Sequence, residues 1–470
     1  MSFRDETPYD ILTEKWNPVL KHDALPSIGD EWKSKVTAVL LENQEQSMRD
    51  QYLTENMTTG SDIGNVVATT AAGGLRGYDP ILISLVRRAM PNLMAYDICG
   101  VQPMTAPTGL IFAMRAKYGD SSINAITNEA QFQEPDARFS GVSGASGGFT
   151  AAGGTSPSAI GVNPTATSAA FTSGKNLATF TGLRAQLTSN GENLSYDAGS
   201  TATNVLNKMS FTIDRVAVAA ATRALSAGYT VELAQDLKAV HGLDAEAELA
   251  NLLSTEILAE INREIVRTIY FVAKSGSQQP DLTNKGTYNL AGDSDGRWSA
   301  ERFRGLSFQI ERECNAIAKE TRRGKGNFII CDSDTAAALA MSGFMSLSPA
   351  IAPQISGDDT QSTFAGVLNG KIKVFIDPYT PLGVNFFCAG YKGESPYDSG
   401  LFYCPYVPLQ MVRAVDPNTF QPRIAFKTRY GVVANPYVLN GTTPDGENLT
   451  TGLNQYYRLT NIRNLHGNTI

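Results

Sequence analysis

The sequence predicts an α+β fold, with helices first and sheet later. Three observations carry that expectation. Between residues 244 and 273 apolar side chains recur at every fourth position, the spacing of one helix face. Residues 298–322 repeat the period, with Phe303, Leu306, Ile310 and Ile317 on one side. From Phe364 onward the pattern changes to short runs, KIKVFID, VNFFCAG, LFYCPYV, LQMVRAV and IAFKTRYGVVA, separated by turns rich in Pro, Gly and Asp, the signature of strands. At 470 residues the chain exceeds one ordinary core and predicts two or three domains.

Residues 1–55 hold 11 acidic and 6 basic side chains, a net of −5 out of the chain's −7, which leaves −2 for the rest. Leu12, Trp16, Val19 and Leu20, then Trp32, Val36, Val39 and Leu40, mark two short amphipathic helices around the breaker LPSIG at 25–29. Two readings stay open: a helical hairpin packed on the main domain, or a detachable acidic segment. Residues 56–79 are small, polar and Gly-rich, as in an extended arm. A short helix with Ile81, Leu82, Leu85 and Val86 on one side should end at Pro91, with Arg87 and Arg88 as a solvated helix end or as contacts to a partner's carboxylates. AYDICGVQPM and TGLIFAMRAKY, split by the turn signal TAPTG at 105–109, read as a β-hairpin.

Between 140 and 207 the chain is rich in Gly, Ala, Ser and Thr, with only Lys175, Arg184, Glu192 and Asp197 charged; either a loop or a small β insertion packed on neighbours suits it. Residues 210–226 read as helical, and His241 before Gly242 should cap a helix end. In the next helix Leu249, Leu253, Ile257, Ile261, Ile265 and Ile269 form the buried stripe, widened by Leu252 and Leu258. Asp244 serves as its N-cap, Glu246 and Glu248 favour the positive end of the dipole, and Arg263 and Arg267 lie nearer the negative end. The helix should run about 40 Å, and burying the stripe is worth roughly 10–15 kcal/mol as an upper bound. NFIIC at 327–331 reads as a buried strand, after which Asp332 or Ser333 caps a helix. Residues 440–470 are polar and read as a tail lying over the surface or on a neighbour.

Composition narrows the function. Apolar residues make up 42% and charged ones 18%, so large neutral surfaces are expected to meet other subunits. No long Lys/Arg cluster supplies a nucleic-acid footprint. Cys99, Cys314, Cys331, Cys388 and Cys404 are odd in number and lack CxxC spacing, which favours free thiols over disulfides or a zinc site. Neither a signal peptide nor an apolar run of membrane-spanning length is present. GASGG at 144–148 fits the G-x-S-x-G elbow, yet low complexity flanks it where a strand and a helix are required. Lys325 between Gly324 and Gly326 precedes its strand, so it is a turn and not a phosphate loop. The histidines His22, His241 and His466 have no recognisable acid or nucleophile beside them. Hydrolase chemistry is the alternative class; catalytic residues, metal and cofactor are all expected to be none.

The blocks 87–118, 231–264, 326–330 (GNFII), 364–377 (FAGVLNGKIKVFID) and 420–436 (FQPRIAFKTRYGVVANP), collinear over most of residues 1–440, resemble the major capsid proteins of T-even-type (T4-like) myoviruses. The resemblance implies the HK97-like phage capsid fold. On that map 1–55 is an acidic, scaffold-facing propeptide, 56–92 an N-terminal arm, and 93–209 an E-loop region carrying the insertion at about 140–207. Residues 210–325 become the peripheral domain with its spine helix at 244–273, 326–410 the axial domain, 411–440 a return strand of the peripheral domain, and 441–470 a C-terminal tail. The insertion looks shorter and more Gly/Ser-rich than the family's.

The implied function is structural. Copies form hexameric capsomers that close into an icosahedral or prolate head around phage DNA, which is enclosed without specific binding; a pentameric vertex paralogue is the runner-up. Implied partners are other copies of the chain, a vertex protein, the scaffold core and prohead protease, and decoration proteins, with assembly in the bacterial host cytoplasm. Leu53-Thr54-Glu55 fits the Leu/Ile-x-Glu pattern that the family's protease recognises, implying cleavage between Glu55 and Asn56. Leu12-Thr13-Glu14 and Leu40-Leu41-Glu42 are secondary matches, and Leu258-Ala259-Glu260 is one the spine helix should shield.

Overall fold

A computed structural model describes residues 8–22, 28–58, 87, 90–118, 192, 209–294, 296, 298–347, 363–381, 383–395, 397–416, 420–440 and 443–465. Its helices are α1 (Pro8–Leu20), α2 (Glu31–Thr58), α3 (Ala95–Ile98), α4 (Val231–Val240), α5 (Ala245–Val272), α6 (Ser299–Thr321) and α7 (Ser333–Met341). The chain divides into two compact units, one formed by Met1–Ile111 with Val216–Ile470 and the other by Phe112–Arg215.

Helix α5 starts where expected, because the Asp244 carboxylate accepts from the Glu246 amide at 3.2 Å and so satisfies a donor that the first turn leaves open. Leu253, Ile257, Leu258, Ile261, Ile265 and Ile269 are buried along it. Leu249 is only half-buried, and Leu252, expected to widen the stripe, is 65% exposed. It lies about 100° round the helix from Leu253, outside the covered arc. Asp332 caps α7 through the Asp334 amide at 3.3 Å, and α6 buries Phe303, Leu306, Ile310 and Ile317 as predicted.

Two sheets organise the larger unit. The first runs β5 (Ala273–Ser275), β16 (Asn454–Arg463), β11 (Asn385–Gly390), β7 (Phe328–Cys331), β10 (Ile372–Ile376), β9 (Thr363–Leu368), β8 (Met345–Leu347), with β6 (Thr287–Asn289) also on β16. Strand β7 sits between parallel β10 and antiparallel β11, and all four of its residues are buried. Helix α6 packs on β16 and β11, and α7 on β11, β10 and β8. The second sheet has the order β1 (Gly100–Val101), β12 (Leu401–Val415), β13 (Pro422–Ala434), β4 (Ala221–Gly228). Helix α5 packs on β4 and β13, and α2 on β12. β14 (Leu439–Asn440) pairs with β15 (Thr443–Pro444), and β2 (Thr108–Tyr118) pairs with β3 (Met209–Ala219).

Five expectations are corrected. Residues 95–118 do not form a hairpin: Gly100 and Val101 pair in parallel with Phe402 and Tyr403, while Thr108–Tyr118 takes its partner from beyond the insertion. Residues 210–226 are strand and not helix. Met209, Phe211 and Ile213 face one side, Val216 and Val218 the other, and this alternation outweighs the helix propensity of the alanines after it. The runs at 401–407 and 409–415 are one strand, with register shifts near Val407 where Pro405 and Pro408 interrupt pairing. Helix α2 is 28 residues long, because no Gly or Pro follows Gly29 until Gly60. The polar C-terminal tail is an interior strand of the large sheet: Tyr456, Tyr457 and Thr460 are buried. Arg458 is buried with them because Glu313 at 3.3 Å and Glu320 at 2.5 Å pair with its guanidinium, and a paired charge is the kind a core accepts.

Candidate assembly surfaces and processing segment

The N-terminal segment is part of the core. Trp16 and Leu20 of α1, with Val36, Leu40, Leu41 and Met48 of α2, belong to the same buried cluster as Tyr96, Ile98, Val101 and Tyr403. The Trp32 indole donates to the Val101 carbonyl at 3.2 Å. The Asn43 amide donates to the carbonyls of Met104 at 2.7 Å and Tyr406 at 2.9 Å. Arg87, expected as a solvated helix end, is buried and donates to the Leu20 carbonyl at 2.7 Å; burial lowers its pKa. Of the two readings of residues 1–55, the packed helical hairpin is the arrangement of the described residues, 8–22 and 28–55. Residues 56–58 of the expected arm continue α2; the rest of that stretch, the short helix expected before Arg87, the GASGG stretch and His466 lie outside the described residues.

The processing residues all lie on helices. Leu53, Thr54, Glu55 and Asn56 occupy the end of α2, which continues to Thr58, so the expected extended junction at Glu55 is helical. Leu40 and Leu41 are buried, and Glu42 holds Lys15 at 2.5 Å and the Trp16 indole at 3.0 Å. Leu12, Thr13 and Glu14 lie on α1, where the Thr13 hydroxyl donates to the Tyr9 carbonyl at 2.8 Å and Glu14 is exposed. Leu258 and Ala259 are buried on α5. A protease binds an extended strand, so each of these bonds needs local unwinding first.

The exposed apolar surface lies elsewhere. On the β2–β3 ribbon Phe112 is 59% and Phe211 65% exposed, with Met114, Met209 and Ile213 exposed beside them. The alternate face carries the Arg115–Asp214 ion pair at 2.8 Å. Period-2 alternation normally turns apolar residues inward; here the outward row is the apolar one. Residues missed by sequence reasoning include Asn43, Asp377, Glu313 and Arg458. Asp377, buried at the end of β10, receives Arg263 at 2.7 Å and the Tyr270 hydroxyl at 3.0 Å. Burial and this neighbouring carboxylate raise the Tyr270 pKa well above the usual phenol value.

Among the described residues no three metal-ligating side chains converge, and no helix is long and apolar enough to cross a membrane. All five cysteines are free and buried. The His241 amide donates to the Leu237 carbonyl at 2.9 Å, closing α4.

The family described as Major capsid protein Gp23 matches residues 75–462. The major capsid protein of Enterobacteria phage T4 is 36% identical over 500 residues, covering 94% of each chain. That of Vibrio phage KVP40 is 36% identical over 485 residues, covering 91% of this chain and 93% of its own. The capsid vertex protein of Enterobacteria phage T4 is 31% identical over 242 residues, 49% of this chain and 53% of its own. Among solved structures, the capsid of Myoviridae phage XM1 overlaps with a TM-score of 0.36 at 10% identity, covering 77% of this chain and 89% of that one. Matched along nearly its whole length, the chain belongs to the major capsid protein family of T4-like phages, whose members are structural proteins of the head shell and not enzymes.

Proposed function

We propose that copies of this chain assemble into hexameric capsomers, in the bacterial host cytoplasm, and close into an icosahedral or prolate head around phage DNA. The observation that carries this reading is the exposed apolar row on the β2–β3 ribbon: a monomer gains nothing from it, whereas a shell buries it at every copy. In the HK97-like arrangement residues 56–92 serve as arm, 93–209 as E-loop region with its insertion, 210–325 as peripheral domain, 326–410 as axial domain, and 411–440 as return strand. The vertex protein, scaffold core and decoration proteins are the remaining partners. The packaged DNA is enclosed by a body that carries a net charge of only −2 once residues 1–55 are removed, so shell and DNA coexist without adhesion.

The same reading makes 1–55 a propeptide cut after Glu55 by the prohead protease. Its support is the Leu53-Thr54-Glu55 tripeptide at the end of α2, the last element before the Gly-rich stretch. Helix ends fray at low cost, which supplies the unwinding that the bond needs. Electron microscopy and N-terminal sequencing of mature particles test both parts. Sixfold capsomers and a start at Asn56 are the expected results. Fivefold rings alone would assign the chain to vertices, and an intact Met1 or Ser2 in infectious particles would overturn the processing step.

A further inference from the structure

Charge ties α1 and α2 to each other. Across their seam Lys15 pairs with Glu42 at 2.5 Å and Glu45 at 2.9 Å, Lys35 pairs with Asp10 at 3.3 Å, and the Trp16 indole donates to Glu42 at 3.0 Å. Toward the body, α2 packs on β12 and on the turn Met90–Asn92, with Lys33 on Asp97 at 3.3 Å. Every residue from Val36 to Gln44 except Glu42 is buried, so this stretch is covered on more than one face. One of these buried positions is out of keeping. Gln44 is 0% exposed, yet among the described residues neither its amide oxygen nor its amide nitrogen has a hydrogen-bond partner. Leu40, Leu41 and Met48, one turn before and after it on the same face, are buried apolar side chains. The Thr37 hydroxyl, two turns before it, donates instead to the Lys33 carbonyl at 2.6 Å. At about 100° per residue Gln44 points roughly 160° away from Glu42, which faces α1. The unpaired amide therefore lies on the side of α2 turned from α1, within the contact that the hairpin makes with the rest of the chain.

We propose that Gln44 is a release element, a buried amide left unpaired in the contact between hairpin and body so that α1 and α2 can leave as one unit once the chain is cut. The inference rests on the processing reading and assigns a residue to the step that follows cleavage. A buried amide without a partner has given up its hydrogen bonds to water and regained none, so the docked hairpin carries that cost and the lifted one does not. The seam between α1 and α2 carries no such cost, because its charges are paired, and the weak plane is the one toward the body. Covalent attachment hides the weakness: while residues 1–55 are tethered, a hairpin that lifts re-docks as an intramolecular event, whereas a severed one is diluted away. Leucine or methionine at position 44 would continue the apolar line of Leu40, Leu41 and Met48 and remove the defect.

The test uses full-length protein carrying Gln44→Met, which keeps the length of the side chain and removes its polar atoms, with Gln44→Leu as a second variant and Gln46→Met, at an exposed position of the same helix, as control. Amide exchange over residues 36–44 of the uncut chain should slow at least roughly fivefold in both Gln44 variants and stay at the wild-type rate in Gln46→Met. Particles supply the second arm. Mass spectrometry of mature heads should find peptides from residues 31–55 retained in the Gln44→Met variant and lost from wild type, with the cut after Glu55 made in both. Exchange that is unchanged or faster in the Gln44 variants shows that the amide is satisfied and overturns the proposal. Slower exchange with no retention in the particle overturns the release role and leaves the processing reading intact. Wild-type particles with an intact Met1 or Ser2 overturn the processing reading, and the release role with it.

Discussion

Asn43 occupies a position that apolar neighbours surround, Leu40 and Leu41 before it and Met48 after it, all buried. Its amide donates to the buried Met104 carbonyl and to the part-buried Tyr406 carbonyl. Asn43→Ala leaves both without that donor, and orphaning the buried Met104 acceptor costs about 1–3 kcal/mol. Urea unfolding should show a loss in that range, whereas an unchanged midpoint would mean the carbonyls find water. Ile257→Asp places an unpaired carboxylate where Ile257 is wholly buried on α5, and the cost should exceed several kcal/mol. Soluble, assembly-competent Ile257→Asp protein would show that the helix can turn its face. Asp293 gives a pH dependence. Burial alone pushes its carboxyl up, but the Thr283 hydroxyl and the amides of Asn289 and Thr283 outweigh burial and hold it below the usual carboxylate range. A depressed folded-state value means the stabilisation is complete above the unfolded value and is lost as pH falls through the folded one. The protection of the Thr283 and Asn289 amides, relative to their intrinsic exchange rates, should therefore fall as the Asp293 carboxyl protonates below the ordinary aspartate value of about pH 4, and protection that stays flat while Asp293 titrates would remove it from that role. The α5 stripe is legible in sequence because it is periodic. Asn43 is not, because one of its acceptors lies 61 residues away and the other 363, and no local pattern records a hydrogen bond of that span.

The same limit appears between elements. Helices α5, α6 and α7, and strands β7, β10, β11 and β13, follow from period and caps alone, since their buried faces repeat at the spacing of the element. The strands at 209–228 do not, because the run AVAAATRA has helix propensity and only pairing with β13 and β2 fixes it as sheet. Strand β16 is hidden by its charges. In NQYYRLTNIR the polar residues Asn454, Arg458 and Thr460 are buried: Asn454 donates to the Gly400 carbonyl at 2.9 Å, and Arg458 meets Glu313, which also accepts from the Ser277 amide at 3.0 Å and Gln309 at 3.0 Å. Gly276 belongs to this packing, because a Cβ there would lie 2.2 Å from the Thr460 hydroxyl. Since β16 separates β5 from β11, a chain ended after Leu453 loses an interior strand and exposes both faces of the gap. Such a chain should accumulate only as insoluble protein. Recovery of a soluble, cooperatively unfolding species would return the segment to the role of a surface tail.

At the scale of the molecule, the placement of α1 and α2 in the core bears on when processing can occur. Trp16, Leu20, Val36, Leu40, Leu41 and Met48 are buried in the cluster that also holds Tyr96 and Val101. Removing six such side chains forfeits roughly 10–15 kcal/mol as an upper bound, comparable with the whole stability of an ordinary domain, about 5–15 kcal/mol. A body deprived of them before assembly has little stability left, whereas one deprived of them inside a shell is held by its neighbours. The two cases should therefore differ. Expressed from Asn56 onward, the chain should bind a hydrophobic dye, lose its cooperative transition and fail to assemble; cut after assembly, it should stay in the particle. The native thiols report the same event. Burial pushes Cys99, which lies in that cluster, up to about 12, and Cys314, Cys388 and Cys404 likewise to about 12, so the full-length chain should resist thiol reagents until it unfolds. In the chain that starts at Asn56, Cys99 should label first, because α2 packs on β12 beside it. A monomeric 56–470 chain with five silent thiols and a cooperative unfolding transition would show instead that the helical hairpin is dispensable cover, and that cleavage needs no shell around it.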